Sequence, residues 1–292
     1  MNGLIKALFI TKTMKIIETV ADLQKAVQQE KNAGKTVGLV PTMGALHAGH
    51  LSLVKQCRAA NDVCVVSIFV NPTQFNNAGD LAHYPRTLEA DCEKLAPQGV
   101  DFVFAPSVEE VYPEKDTRQF DFGTLDKVME GAHRPGHFNG VAQVVSKLFA
   151  MVQPHCAYFG EKDYQQLAII KAMVRDYKMD VEIIACPIVR EADGLAMSSR
   201  NVRLTEAQRR VAPQIYQTLL QSKAWCGSLP VEDFKQKVVD TINAIPELEV
   251  EYFELADSLS LQSTQSWDDE GDKVGFIAVF AGDVRLIDNI SY

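Results

Sequence analysis

The sequence lacks the cysteine spacings that mark metal sites and disulfide frameworks. Its six cysteines are spread along 292 residues, and no two of them form a C-x-x-C pair. This spacing argues against a structural zinc site and against a small secreted fold held by disulfides. We therefore expect reduced thiols and a cytoplasmic protein.

Long apolar runs and a basic excess are also missing. No apolar stretch approaches the roughly 20 residues of a membrane span, and Lys6 interrupts the short apolar part of segment 1–13, unlike a secretory signal. Lysine and arginine number 29 against 38 acidic residues, which gives a formal net charge of −9. We expect neither nucleic acid nor membrane as a partner, so local positive groups must hold any anionic ligand.

The commonest nucleotide-binding and hydrolase signatures are absent as well. The sequence contains neither G-x-G-x-x-G nor G-x-S-x-G. "GKT" at 34–36 resembles the end of a P-loop, but the required first glycine would fall at Gln29, and "GKT" leads into a strand instead of a helix. A nucleotide site in this chain must use another motif.

A regular alternation of strand and helix patterns is present from Met14 to about residue 188. Strands such as "TVGLV" and "DVCVVSIFV" are apolar throughout, and helical patterns such as 49–60, 138–152 and 163–178 separate them. Strands of this kind predict a parallel sheet covered on both faces. The expected fold is a doubly wound, Rossmann-like α/β sheet whose ligands lie beyond the carboxyl ends of the strands.

After about residue 188 the pattern changes. Helices are predicted at about 205–223 and 231–244, and the alternating segments "VEYFELADS" and "KVGFIAVFAGDVRLID" predict antiparallel strands. This pattern of helices and strands indicates a second, smaller α+β domain. The predicted parts are an N-terminal extension 1–13, a nucleotide-binding domain 14–188 and a C-terminal lid domain 189–292.

Two histidines stand between a strand and a helix in "PTMGALHAGH", residues 41–50. His47 and His50 are spaced to share one helix face, and Gly49 lets a ligand approach the backbone. The N–H groups and dipole of a helix N-terminus favour a phosphate. Taken alone, the motif is more often a capped turn with two surface histidines. A zinc site would need further ligands, which the sequence does not offer at suitable spacing.

A second polar cluster, "GLAMSSRN" at 194–201, follows the last predicted parallel strand. Its hydroxyls, guanidinium and amide suit a polyphosphate. The same residues, with Thr205, could be an ordinary helix-capping cluster. In combination with the histidine motif, the cluster predicts a nucleotide held from two sides.

Five motifs in register resemble those of the pantoate–β-alanine ligase family. They are "PTMGALHAGH", "FVNPTQF", "HRPGHFNGV", "FGEKDYQQ" and "MSSRN", and the resemblance runs from about Met14 to the C-terminus. The family is related to class I aminoacyl-tRNA synthetases and H-x-G-H nucleotidyltransferases. The resemblance implies that ATP drives the condensation of (R)-pantoate with β-alanine to pantothenate, through a pantoyl adenylate, with release of AMP and pyrophosphate.

The resemblance also implies roles for individual residues, an ATP-bound Mg²⁺ and a homodimer. The implied catalytic residues are His50, as proton donor, with His47, Lys162 and Arg200. The implied ATP-binding residues are Met43, Gly44, Ala45, Leu46, His47, Ala48, Gly49, His50, Gly160, Glu161, Lys162, Asp163, Val189, Met197, Ser198, Ser199 and Arg200. The implied pantoate or β-alanine contacts are Gln74, Gln166, Pro41, Asn71, Arg134 and His137. Asp91 and Asp163 are possible contacts of the metal.

Three alternatives share parts of this pattern. A nucleotidyltransferase acting on a phosphorylated substrate would keep the histidines but has no need for Gln74 and Gln166. Those amides suit pantoate because each can donate to one group while it accepts from another. A tRNA synthetase would need more length and a basic surface. A nucleotide sensor would keep the fold without catalysis.

Overall fold

The computed structural model describes residues 14–75 and 78–292, so the predicted extension 1–13 lies outside the described residues. Six parallel strands form one sheet in the order β1-β4-β3-β2-β5-β6. They are β1 Lys15–Ile17, β2 Val37–Thr42, β3 Val63–Ile68, β4 Phe102–Phe104, β5 Cys156–Gly160 and β6 Glu182–Cys186. The predicted doubly wound fold is confirmed.

Eight helices are described between these strands or beside them. They are α1 Val20–Asn32, α2 Ala48–Ala60, α3 Ala78–His83, α4 Leu88–Leu95, α5 Val108–Val111, α6 Met129–His133, α7 His137–Val152 and α8 Tyr164–Asp176. Helices cover both faces of the sheet, which explains why its strands are apolar throughout. On one face Leu39 belongs to a core with Val141 of α7, and on the other Val40 belongs to a core with Leu53 of α2.

The order of the strands creates the crevice in which a ligand can bind. From β2 the chain continues to β3 on one side, and it later returns to β5 on the other side of β2. The connections at the carboxyl ends of β2 and β5 therefore lead to opposite sides of this point. Such a switch point leaves a crevice beyond the strand ends.

The C-terminal part forms a separate antiparallel sheet, as predicted. Its elements are α9 Glu206–Val211, α10 Gln214–Ser222, α11 Val231–Asn243, β7 Leu248–Asp257, β8 Lys273–Ala281 and β9 Val284–Ser291. Leu219 and Phe234 of the two longer helices share a core with Ile277 of β8. The placement of the domain boundary at 188/189 stays a prediction; it falls in the irregular stretch that follows β6.

One helix differs from its prediction. The expected single helix over about 205–223 is divided into α9 and α10. Pro213 explains the division, because its ring clashes with the preceding turn and it lacks an N–H group. None of the helices within residues 14–75 and 78–292 has the length and apolarity of a membrane span.

Candidate active site

A cavity of about 220 Å³ opens at the carboxyl ends of β2 and β5. It receives side chains from all five sequence motifs, including Val141 of "HRPGHFNGV". The predicted site residues that line it are Pro41, Met43, His47, Gly49, His50, Asn71, Gln74, Gly160, Lys162, Asp163, Gln166, Val189, Met197, Ser198, Ser199 and Arg200. Segments far apart in sequence thus meet where the topology places a ligand.

The turn between β2 and α2 is held by a buried carboxylate. Gly44 and Ala45 have positive φ angles of 83° and 50°. Asp91 accepts hydrogen bonds from the Ala45 N–H at 2.9 Å and the Leu46 N–H at 2.7 Å, one at each oxygen. Thr87 Oγ1 donates to the same carboxylate at 3.1 Å. Asp91 therefore supports the turn and does not line the cavity, which leaves Asp163 as the better placed of the two predicted metal contacts.

The two histidines form a reciprocal cap at the start of α2. His47 is the N-cap residue, and its Nδ1 accepts from the Gly49 N–H at 3.2 Å. The His47 N–H in turn donates to His50 Nδ1 at 3.4 Å, and the ring centroids lie 4.1 Å apart. A Cβ on residue 49 would lie 2.8 Å from the His47 ring, which accounts for glycine there. Because both Nδ1 atoms accept, each neutral ring carries its proton on Nε2.

The charge state of these rings follows from their surroundings. Burial, with a further contribution from the nearby Lys162, lowers the pKa of His47 to about 4. Burial also lowers the pKa of His50 to about 3, with the charges of His47 and Lys162 acting in the same direction. Near neutral pH both rings are neutral in the ligand-free protein, so each offers one Nε2–H donor. The proton-donor role that the resemblance implies for His50 stays a prediction.

The main chain at Lys162, the basic residue that follows β5, is hydrogen-bonded to the C-terminal sheet. Asn289 of β9 donates from Nδ2 to the carbonyl oxygens of Glu161 at 2.9 Å and Lys162 at 3.1 Å. The Lys162 Nζ lies 3.9 Å from Asp163 Oδ1, and the Lys162 side chain is largely buried. Nothing in the sequence motifs pointed to Asn289, because it belongs to an ordinary strand pattern. By donating to these two carbonyl groups, Asn289 supports the main chain from which Lys162 lines the cavity.

The "MSSRN" loop has a capping role and also lines the cavity. Ser198 Oγ accepts from the Arg200 N–H at 3.2 Å, so the helix-capping alternative is correct for this residue. Ser198, Ser199 and Arg200 nevertheless line the cavity. Tyr84, which the motifs did not indicate, also lines it and places its hydroxyl 3.4 Å from Ser199 Oγ. The loop is thereby joined to the segment before α4.

A smaller cavity of about 40 Å³ adjoins the first. Lys162, Asp163 and Gln166 line both cavities, whereas Arg134 and His137 line only the smaller one. Burial lowers the pKa of His137 to about 4, so its ring is neutral near pH 7. The predicted substrate contacts are thus divided between two neighbouring spaces.

The wall of the smaller cavity contains a buried ion network that sequence reasoning missed. Glu130 of α6 accepts from Arg285 Nη1 at 2.8 Å and Nη2 at 2.6 Å. Tyr252 Oη donates to the same carboxylate at 2.9 Å, and Arg134 Nη1 lies 3.5 Å from it. The network joins α6 to β7 and β9, and it places Arg134 beside a compensating negative charge.

Five predicted ATP contacts do not line the larger cavity with their side chains. They are Gly44, Ala45, Leu46, Ala48 and Glu161. All of them except Ala45 are adjacent in sequence to a lining residue, and Ala45 and Leu46 belong to the turn held by Asp91. Their predicted roles are not tested by this geometry.

Comparisons with known proteins agree with one another. A family model described as pantoate-beta-alanine ligase matches residues 15–291. The chain is 59% identical over 279 residues to the pantothenate synthetase of Bacteroides fragilis strain YCH46, covering 96% of this chain and 99% of the relative. It is 57% identical over 279 residues to that of Porphyromonas gingivalis strain W83, with the same coverage.

Solved structures show the same similarity. The crystal structure of pantothenate synthetase from Thermus thermophilus matches with a TM-score of 0.88 and 45% identity, over 95% of this chain and 99% of that one. The pantoate-beta-alanine ligase from Francisella tularensis, complexed with beta-gamma ATP and beta-alanine, matches with a TM-score of 0.80 and 36% identity, over 95% and 97% of the two chains.

Proposed function

Because the chain belongs to the pantoate–β-alanine ligase family, and is therefore an ATP-dependent ligase that forms pantothenate, we propose that the two adjoining cavities carry out its two half-reactions. The observation that carries this proposal is the meeting of all five motifs at the switch point between β2 and β5. The family match over residues 15–291 also removes the support for a nucleotidyltransferase, a tRNA synthetase or a sensor.

In the first half-reaction, the pantoate carboxylate attacks the α-phosphate of ATP and pyrophosphate leaves. The protein can accelerate this step by positioning the reactants and by stabilising charge on the phosphates. His47 and His50 supply neutral Nε2–H donors at the N-terminus of α2, where the helix dipole also favours an anion. Lys162 and Arg200 add positive charge locally, which the net charge of −9 does not provide.

Pantoate suits the part of the larger cavity that combines amides with apolar walls. Gln74 and Gln166 supply neutral carboxamides, and Val141 and Val144 supply buried apolar surface. Pantoate has two hydroxyls and a carboxylate around a dimethyl carbon, so it needs both kinds of contact. Neutral amides leave the negative charge of the pantoate carboxylate available for attack on ATP.

The smaller cavity suits β-alanine in the second half-reaction. Arg134 can bind the β-alanine carboxylate, because a guanidinium pairs well with a carboxylate. Lys162, Asp163 and Gln166 line both cavities, so in this proposal a ligand in the smaller cavity lies beside the adenylate. After the ammonium group has lost a proton, the amine attacks the carbonyl carbon of the adenylate. The C–N bond forms, the bond from that carbon to the phosphate oxygen breaks, and AMP leaves while the second amine proton is released to solvent.

Mg²⁺ enters with ATP in this proposal. The described residues contain no group of three His, Cys, Asp or Glu side chains arranged to hold a metal ion. A cation held mainly by phosphate oxygens and water agrees with the coordination that Mg²⁺ prefers. Asp163 lines both cavities and is the side chain that we propose as its outer contact.

We also propose a cytoplasmic homodimer, as the family resemblance implies. The six cysteines are free thiols, four of them buried, which suits a reducing compartment. Light scattering is expected to give the mass of two chains. A particle of 32.4 kDa, the mass of one chain, at micromolar concentration would contradict the dimer.

The two half-reactions can be separated experimentally. With Mg²⁺ and without β-alanine, pantoate should support exchange of labelled pyrophosphate into ATP. Arg134→Ala should retain this exchange within about twofold, but it should raise the KM for β-alanine by about 10- to 100-fold, because a charge-assisted contact contributes about 1.5–3 kcal/mol.

The matched control is Arg175→Ala, an exposed arginine on α8 paired with Asp176. This variant should leave both half-reactions unchanged. Loss of exchange in Arg134→Ala, or an unchanged KM for β-alanine, would refute the assignment of the smaller cavity. Absence of pantoate-dependent exchange in the wild-type protein would refute the proposed adenylate pathway itself.

A further inference from the structure

Asn71 lies at the edge of the pantoate part of the cavity, and its orientation is unambiguous. Its side chain is almost fully buried. Nδ2 lies 3.1 Å from the carbonyl oxygen of Gly140, which can only accept. Oδ1 lies 3.4 Å from the backbone N–H of Thr73, which can only donate. Because two main-chain groups of opposite kind face it, the Asn71 amide has one orientation that satisfies both.

The orientation of Asn71 determines that of Gln74. Asn71 Nδ2 lies 3.1 Å from a polar atom of Gln74, and this atom must be the acceptor Oε1. Gln74 Nε2 is left beside Met43 Sδ at 3.1 Å, a weak acceptor. His137 Nδ1 lies 2.8 Å from the Gln74 carbonyl oxygen and steadies the main chain. Gln74 therefore presents a donor to a ligand in the larger cavity.

Tyr112, just beyond the end of α5, makes a further contact with the Asn71 amide. Its hydroxyl donates to Asn71 Oδ1 at 2.9 Å. Its ring packs against Phe69, with centroids 6.2 Å apart, and Lys147 Nζ lies 5.1 Å from the ring centroid. Burial raises the pKa of Tyr112, so the donating proton is retained. Tyr112 does not line either cavity and belongs to none of the five motifs.

We propose that Tyr112 is a positioning residue for pantoate. Its donation to Asn71 stabilises the amide orientation in which Gln74 offers Nε2–H to an oxygen of the substrate. This inference rests on the proposed pantoate site and extends it to a residue that does not touch substrate. Without the tyrosine hydroxyl, Asn71 Oδ1 keeps only its contacts with Thr73, at 3.4 Å and 3.1 Å. The amide orientation is then less strongly favoured, and Gln74 more often presents its oxygen, which repels substrate oxygens.

The substitution Tyr112→Phe removes the hydroxyl and retains the ring. We expect the KM for pantoate in pyrophosphate exchange to rise about fivefold to tenfold, since a hydrogen bond contributes about 1–1.5 kcal/mol and Thr73 Oγ1 still donates to Asn71 at 3.1 Å. The KM for ATP should change by less than about twofold. The control Tyr177→Phe, at a half-exposed tyrosine outside both cavities, should change neither value.

A double-mutant cycle separates positioning from general support of the fold. In a Gln74→Ala background, Tyr112→Phe should raise the KM for pantoate by no more than about twofold, because the amide through which it acts is gone. A full effect in that background would overturn the proposal. An equal rise in the KM for ATP, or no rise for pantoate in the single variant, would overturn it as well. These results presuppose pantoate-dependent exchange by the wild type, whose absence would instead count against the proposed function.

Discussion

Replacing His50 by alanine is expected to lower the rate of pantoyl-adenylate formation by about 100-fold or more, which is the usual effect of losing one preorganised donor to a transition state. His50 is half-buried at the N-terminus of α2 and lines the larger cavity, so water screens its Nε2–H less than it would at the protein surface. Pre-steady-state measurement of pyrophosphate release gives this rate directly.

The pH dependence of the same variant identifies the form of His50 that acts. The pKa of His50 is lowered to about 3, so the ring of the free enzyme is neutral throughout pH 5.5–8. The ratio of wild-type to His50→Ala values of kcat/KM for ATP, which reports the free enzyme, should therefore be constant over this range. A ratio that grows as the pH falls would show that a protonated imidazole is required.

Loss of structure must be distinguished from loss of catalysis. His50→Ala removes the acceptor for the His47 N–H, which costs about 1 kcal/mol of stability and leaves the fold intact. His83→Ala, at an exposed histidine on α3 that lines neither cavity, is the matched control and should retain full activity. Activity close to wild type in His50→Ala would refute the assigned role.

Replacing Glu130 by alanine is expected to lower the free energy of unfolding by about 3 kcal/mol, because Arg285 would remain buried without its main partner. Glu130 accepts two hydrogen bonds from Arg285 and one from Tyr252, while Glu251 still pairs with Arg285 at 2.9 Å. Urea unfolding near pH 7 measures the change. A loss below about 1 kcal/mol would contradict the stabilising role of the network.

The network also predicts an acid dependence with a definite sign. Burial by itself raises the pKa of Glu130, but hydrogen bonding and charge from Arg285 outweigh it and hold that pKa at about 2, below the ordinary value of 4.5. A lowered carboxyl pKa stabilises the fold above the unfolded-state pKa, and this stabilisation is lost as the pH falls from about 4.5 to 2. The stability difference between wild type and Glu130→Ala should therefore shrink over that range.

Two further variants test whether the effect comes from the buried pair. Glu232→Ala removes an exposed carboxylate paired with Lys235 and should cost less than about 1 kcal/mol. Glu130→Ala combined with Arg285→Met should regain part of the lost stability, because no uncompensated guanidinium remains. A double variant less stable than Glu130→Ala would show that Arg285 stabilises the fold without Glu130.

Local sequence patterns predicted most of the architecture and the main site motifs. The apolar strands, the helical periodicities and the histidine motif each depend on neighbouring residues, so they could be interpreted without coordinates. The division of the predicted helix 205–223 was missed although its cause, Pro213, is itself local. The capping role of Ser198 was also available from the sequence, as an alternative to its proposed contact with phosphate.

By itself, the sequence determined the succession of strands and helices along the chain and the positions of the five motifs. Hydrogen-bond ladders and burial impose short periods on the chain, and these periods are visible in the sequence. Only the tertiary structure decided which distant polar groups support those motifs. Asp91 holds the turn after β2, Asn289 supports Lys162, and Tyr112 orients Asn71. Such pairs leave no periodic signal, since each depends on the packed geometry that brings one donor within about 3 Å of one acceptor.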